Sequence, residues 1–221
     1  MSAIAFWLVI LVVAGVAIAA ELIFRARSRP MRQLAAQLAL HYERSDPHQL
    51  KQRAARLYLL DQGHSRSMEE VIFGHHQKYY IRIFRFTFQL GTGRDGRGCQ
   101  YLAVLLELPT AAQEQAALIS NHWVFPTPAI PELRPPQTAG LLPAQLDDRI
   151  NVWARRTHGA AIQFFERKDV QALFSLTPST VWELGRHELL LLRPFSRVSP
   201  DPTVLLDAAC SFLDKLEGDV G

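Results

Sequence analysis

The side chains of this chain that could do chemistry are its eight histidines, its two cysteines and one glycine-rich string. His75 and His76 are adjacent, and neighbours on a strand face opposite sides, so the pair meets one ion only where the backbone turns. No HExxH or CxxC spacing supplies the further ligands that a zinc centre needs. We expect histidines in polar turns here and at His187-Glu188, and no metal. Cys99 and Cys210 are too few for a disulfide framework and read as ordinary thiols. The string GTGRDG at 91–96 matches GxGxxG in letters. A dinucleotide fingerprint must open a helix, so that the helix N-terminus meets the pyrophosphate, whereas this loop leads into a strand at Tyr101. A kinase-type glycine loop does lie between strands, but no HRD or DFG segment accompanies it. The string reads as a hairpin turn. There is no GxSxG elbow or Walker A loop, and Asp147-Asp148 reads as loop or cap chemistry. No catalytic or cofactor-binding residue is assigned.

The elements around these residues follow from hydrophobic spacing. Leu34, Leu38 and Tyr42 predict a helix over 31–42, set off by Pro30 from whatever precedes it. Asp46-Pro47 is an N-cap and N1 pair opening a second helix to Leu60, with Leu50, Ala54, Leu57 and Tyr58 on its buried face. Strands are expected over 69–74 and 79–90, joined by a turn at 75–78. Within the second, Ile81 and Ile83 share one face, while Phe84, Phe86, Phe88 and Leu90 share the other. That slip predicts a bulge at Ile83-Phe84. Tyr101 to Leu108 is apolar on both parities, as for a central strand covered on both faces. Six of the 13 prolines fall in 126–143, predicting an irregular connection and a lobe boundary. Beyond it come a strand over 149–154, a helix over 166–175 and a hairpin, 181–184 with 188–192, about Gly185-Arg186. Asp201-Pro202 opens a last helix closed by Gly218, with Leu205, Ala209, Phe212 and Leu216 inward. Trp123, Trp153 and Trp182 read as core or interface anchors.

The N-terminus has a different character. Residues 1–20 hold no ionisable side chain, and with Leu22, Ile23 and Phe24 they match about 30 Å of hydrocarbon at 1.5 Å per residue. We expect a transmembrane anchor over 1–24 with Trp7, Glu21 and Phe24 at its interfaces, and a basic flank over 25–32 carrying Arg25, Arg27, Arg29 and Arg32. A cleaved signal peptide, suggested by Ala17-Ile18-Ala19, is the competing reading. An n-region without Lys or Arg, and four arginines behind the apolar run, oppose it under the positive-inside rule. The expected topology is a single pass in a bacterial inner membrane, N-terminus outside, with 33–221 as a cytoplasmic domain.

The formal net charge of +3 sits in that flank, and residues 33–221 hold as many acidic as basic side chains. Nucleic acid is therefore not an expected partner. The lipid bilayer is, with anionic headgroups beside the arginines.

From Leu57-Tyr58-Leu59-Leu60 through Val71-Ile72-Phe73-Gly74, Ile83-Phe84-Arg85-Phe86 and Leu105-Leu106-Glu107-Leu108, and again over Glu188 to Arg193, the order resembles a group of uncharacterised bacterial single-pass membrane proteins with an N-terminal anchor and a cytoplasmic α+β domain. The resemblance implies a fold and a location and carries no catalytic residue. Together these readings predict an α+β class, an antiparallel sheet with helices packed on one face. The expected role is a non-catalytic accessory protein with a protein partner, contacted through Trp123, Phe125, Pro126, Pro128 and Pro131. The alternative is an enzyme with a dispersed site, whose first suspects are the glycine loop, His64, His75 and His187.

Overall fold

The structure, a computed structural model, describes residues 3–46, 57–61, 63–91, 97–108, 116–120, 150–154, 167–177, 179–195 and 201–218. Its first element is one long helix, α1, over Ala3–Gln37, with Pro30 inside it. The break expected at Pro30 is thus corrected. Proline removes one intrahelical hydrogen bond and crowds the turn before it. Met31, Leu34 and Ala35 in the following turns are buried in the core, and the packing of that face carries the helix across. α1 closes where the Leu40 N–H donates to the Ala35 carbonyl at 2.8 Å, around Ala39 at φ 54°, a left-handed cap that glycine usually fills. The chain then turns back into strand β1, His41–Ser45. Tyr42 is therefore on a strand, which corrects the helix expected over 31–42. Most of the helix expected over 46–60 lies outside the described residues. Its end is a 3-10 turn, Tyr58–Asp61, preceded by the buried Leu57.

The remaining strands are β2 His64–His76, β3 Tyr79–Leu90, β4 Arg97–Glu107, β5 Ala116–Ser120, β6 Ile150–Ala154, β7 Val181–Leu184 and β8 Glu188–Pro194. The helices are α2, Lys168–Leu176, and α3, Pro202–Gly218. Among the described residues the strands form one sheet in the order β1-β2-β3-β4-β8-β7-β5-β6, with every pairing antiparallel. The fold is α+β, as expected, and β4 lies inside the sheet. β5 has no counterpart in the sequence reading. β2 runs through His75 and His76, so the turn at its end is Gln77-Lys78 rather than 75–78.

Both faces of the sheet are buried. One carries Ile72, Ile81, Ile83, Leu102, Val104, Leu189 and Leu191 against α1, α2 and α3. The other carries Phe84, Phe86, Phe88, Ala103, Leu105, Leu190 and Leu192, with Leu57, Leu59 and Leu60 packed on them. This explains why β3 has no bulge at Ile83-Phe84. Its register against β4 is unbroken from Ile81 to Leu90, because a strand covered on both sides can be apolar on both parities. The irregularities lie in β2, one between His64 and Ser67 and one between Glu69 and Ile72, where Glu70 takes φ 55°.

Side-chain bonds orient α3 over the sheet. The Asp201 carboxylate accepts the Thr203 N–H at 3.0 Å, capping the helix start. At the other end the Tyr79 hydroxyl donates to Asp214 at 2.7 Å, and Lys78 Nζ lies 2.9 Å from Asp214 and 2.6 Å from Glu217. Those bonds raise the Lys78 ammonium pKa, with Glu217 the largest influence, and the lysine in turn lowers that of Asp214. The C-terminus of α3 is thereby held at the β2–β3 turn. Phe212 on its inner face meets Trp182 of β7 at 5.4 Å between ring centroids, and Phe174 of α2 stands edge-on to the same indole.

Candidate functional site

α1 has two unlike halves. Toward its C-terminus, Met31, Leu34 and Ala35 are buried against the sheet, and Arg32 lies over the Tyr42 ring at 5.2 Å. Nearer the N-terminus, Glu21 reaches Arg44 of β1 at 3.4 Å and ties this helix to the sheet. Beyond it large apolar side chains are solvent-facing: Trp7 is 63% exposed and Leu11 70%, and Ile10, Val12 and Val13 are exposed as well. At 100° per residue, four consecutive positions cover every side of a helix. Among the described residues no helix is long and apolar enough to cross a membrane. The unbroken run of described side chains, 10–22, spans about 20 Å, against roughly 30 Å of hydrocarbon. The anchor expected over 1–24 is therefore not established by the described residues. Arg29 is exposed; the side chains of Phe24, Arg25 and Arg27 lie outside the description.

β1 runs antiparallel to the helix that precedes it, so α1 projects past the end of the sheet where β1, β3 and β8 finish. On the helix-covered face, that end is polar. Ser67 and Thr87 share a hydrogen bond of 2.8 Å. Next to them the β2 irregularity places an extra residue opposite Phe84, and a bulge of this kind re-aims a side chain. Here it sends Glu70 into an ion pair with Arg85 of β3. Arg85 in turn lies under the Phe195 ring at 4.7 Å. Register places Leu102 beside Arg85 on one flank and Arg193 on the other, so both guanidinium groups rise from the same face, two strand spacings apart. Arg193 is 8% exposed, its Nη1 has no hydrogen-bond partner, and burial lowers its pKa. On the opposite face, Arg82 is buried beside Glu107 at 2.6 Å and over the Tyr80 ring at 4.7 Å.

A second buried carboxyl closes that opposite face. Glu183 of β7 accepts the Tyr58 N–H at 2.7 Å and the Leu59 N–H at 2.8 Å, capping the 3-10 turn that carries Leu59 and Leu60 into the core. Burial pushes its pKa up to about 7 against the pull of those two N–H groups, and Glu188 adds to the rise.

The residues flagged from sequence are placed as follows. His64 and His75 stand at opposite ends of β2, 11 residues and hence about 35 Å apart. His64 Nε2 is 2.6 Å from the Gly91 carbonyl, and His75 packs edge-on to Tyr80. His187 lies in the β7–β8 turn, where its carbonyl accepts the Leu108 N–H at 2.8 Å. One pocket cannot unite the three. Gly91 follows the last residue of β3, and β4 begins at Arg97 as its antiparallel partner, so the glycine string joins two strands of a hairpin. Cys99 and Cys210 are both buried and neither is in a disulfide, and burial pushes the Cys210 thiol up to about 11. Trp182 is a core anchor, 2% exposed. Trp123, Phe125, Pro126, Pro128 and Pro131 lie outside the described residues, as does the proposed boundary at 126–143.

Sequence reasoning missed Glu70, Arg85, Glu183 and Arg193. The signal available was a charged residue at an inward parity of an otherwise apolar strand. It is informative only once both sheet faces are known to be covered.

The class defined here is an antiparallel α+β sheet domain continuous with a long, partly exposed apolar helix. No family model and no curated protein matches the chain. Among solved structures it is similar to the mycobacterial trehalose monomycolate transport factor A, TtfA, with a TM-score of 0.59 and 13% identity, covering 87% of this chain and 93% of that one. At that identity the likeness is one of fold.

Proposed function

We propose that this chain is a membrane-anchored accessory protein. In this reading the N-terminal half of α1 crosses a bacterial inner membrane once, with its N-terminus outside, and the sheet domain sits at the cytoplasmic surface, where it holds a protein partner. The observation that carries the proposal is the exposure of Ile10, Leu11, Val12 and Val13 on all sides of α1, in a stretch where residues 3–20 have no ionisable side chain. A helix apolar all round is stable when protein or lipid surrounds it. Arg25, Arg27, Arg29 and Arg32 behind it favour retention on the cytoplasmic side and contact with anionic headgroups. Because α1 is one helix from the apolar stretch into the domain core, the domain is carried on a stiff stalk. The fold's likeness to a protein named as a transport factor supports an accessory role. The partner surface we propose is Trp123, Phe125, Pro126, Pro128 and Pro131.

Two measurements test the reading. Membranes carrying the full chain are washed at alkaline pH, and spheroplasts are treated with external protease. We expect the chain to stay with the membrane and residues 31–221 to survive. Release by the wash, or a mature N-terminus near Ala20 with the domain digested, overturns the anchor. In-cell crosslinking with mass spectrometry should then recover a stoichiometric protein partner. Turnover of a metabolite by the purified full chain, without such a partner, overturns the accessory role.

A further inference from the structure

A charge buried without a counter-ion is unfavourable, and native proteins pair or solvate such groups. Arg193 departs from that rule. It is 8% exposed, its Nη1 has no partner, and Nε of the neighbouring Arg85 has none either. Glu70 already balances Arg85 through its ion pair, and Glu69, the register partner of Arg85, accepts the Ser67 hydroxyl at 3.1 Å on the same face, so among the described residues Arg193 is the guanidinium of this face without an ion pair. The Phe195 ring packs on the Arg85 guanidinium from one side, 4.7 Å from its centroid, while Glu70 pairs with it from another. The geometry resembles a prepared receptor more than a structural ion network, in which each donor would be matched. α3 strengthens the case. Its C-terminus is fixed at the β2–β3 turn by Tyr79 and Asp214, and its 17 residues run back about 25 Å. That brings its N-terminus, the positive end of the helix dipole, to the same end of the sheet as Arg193.

We propose that Arg193, with Arg85 as its positioned neighbour, forms a binding site for a monoanionic oxyanion of the phosphodiester type between α1 and α3. Guanidinium groups suit such a ligand because their N–H donors match two oxygens of a phosphate in a fixed plane. The one unpaired guanidinium, that of Arg193, fits a ligand of one negative charge. The phosphate chemistry has two sources, a lipid headgroup or a soluble phosphate. The site lies at the end of the sheet from which α1 projects, so a headgroup reaches it if α1 is anchored. That lipid source rests on the proposed anchoring; the oxyanion site itself does not.

The test uses the full chain in a maltoside detergent, which contains no phosphate. Thermal unfolding is followed with added phosphatidylglycerol in one arm and inorganic phosphate in the other. Each is compared across the native chain, Arg193→Gln, Arg193→Leu and the flank variant Arg32→Gln. Arg193→Leu extends the apolar run Leu189 to Leu192 and keeps the test valid should the glutamine variant fail to fold. Saturating ligand at about 100 times its Kd is expected to raise the native Tm by about 5–11 °C. Both Arg193 variants should lose this shift in either arm, and Arg32→Gln should keep it with inorganic phosphate. A shift with phosphatidylglycerol alone identifies the lipid source, and a shift with both ligands identifies the oxyanion itself. Absence of any shift, or a shift that survives in Arg193→Leu, overturns the site. A shift lost in Arg32→Gln but kept in the Arg193 variants assigns lipid binding to the basic flank instead, leaving the anchoring proposal intact and this one refuted.

Discussion

At pH 6 the Glu183 carboxyl still holds its proton in the folded protein, because burial lifts its pKa to about 7 from an ordinary 4.5. The unfolded chain releases that proton at lower pH. Between those two values the native state therefore binds more protons than the unfolded state, and stability falls as pH rises. The contribution is complete below the unfolded value and is lost as pH passes the folded one. Denaturant titrations of the full chain in detergent should show a decline of roughly 2–3 kcal/mol between pH 5 and 8 from this group. Glu183→Gln should be flatter across that range, and an unchanged slope would remove Glu183 as the cause. Backbone conformation gives a second residue-scale expectation. A Cβ at Gly63, where φ is +63°, would come within 2.4 Å of the Gln89 carbonyl oxygen, whereas at Gly185 the nearest atom is the Leu57 Cδ2 at 2.7 Å. The carbonyl cannot yield and the leucine methyl can. Gly63→Ala should thus cost more than about 1 kcal/mol, and Gly185→Ala less, in paired thermal melts.

At the scale of elements, the C-terminal cap of α1 offers an improvement. Ala39 occupies a left-handed position at φ 54°, which is unfavourable by about 1–2 kcal/mol for a residue with a Cβ. Glycine adopts it freely but loses more entropy on folding, by roughly 0.5–1 kcal/mol. Ala39→Gly should therefore stabilise by up to about 1 kcal/mol; a loss of stability in a chemical melt would show that the Ala39 methyl packs productively. This same cap shows where the sequence was readable. α3 was legible because its start and stop are local, with Asp201 bonded to the Thr203 N–H and Gly218 at the far end. The β7–β8 hairpin was legible for the same reason. The α1–β1 boundary was not, since Leu34, Leu38 and Tyr42 keep helical spacing and an alanine stands where glycine would have signalled the stop. The bulge was misplaced because β3 alone cannot reveal that a second layer covers its other face. Glu70 and Arg85 escaped for a related reason: their partnership depends on a bulge in the neighbouring strand, a contact that no local pattern encodes.

For the molecule as a whole, the continuity of α1 has a mechanical consequence. A helix that is unbroken from Ala3 to Gln37, buried in the domain at Met31, Leu34 and Ala35 and tied to β1 through Glu21 and Arg44, fixes the rotational angle between its apolar half and the sheet. On the proposed anchoring, a partner in the same membrane would then meet one particular side of the domain. Each residue inserted into the stalk turns the domain by about 100° and raises it by about 1.5 Å. Two alanines inserted after Leu22 therefore rotate it by about 200°, to nearly the opposite side, with only about 3 Å of added length. Seven alanines rotate it by about 700°, within about 20° of the starting angle, while adding about 10 Å. If orientation governs contact, crosslinking to the partner should fall with two residues and recover with seven. If reach governs it, the longer insertion should be the more damaging. Equal yields from both insertions would mean that the domain turns freely relative to the N-terminal half of α1, and the stiff-stalk reading of α1 would have to be given up.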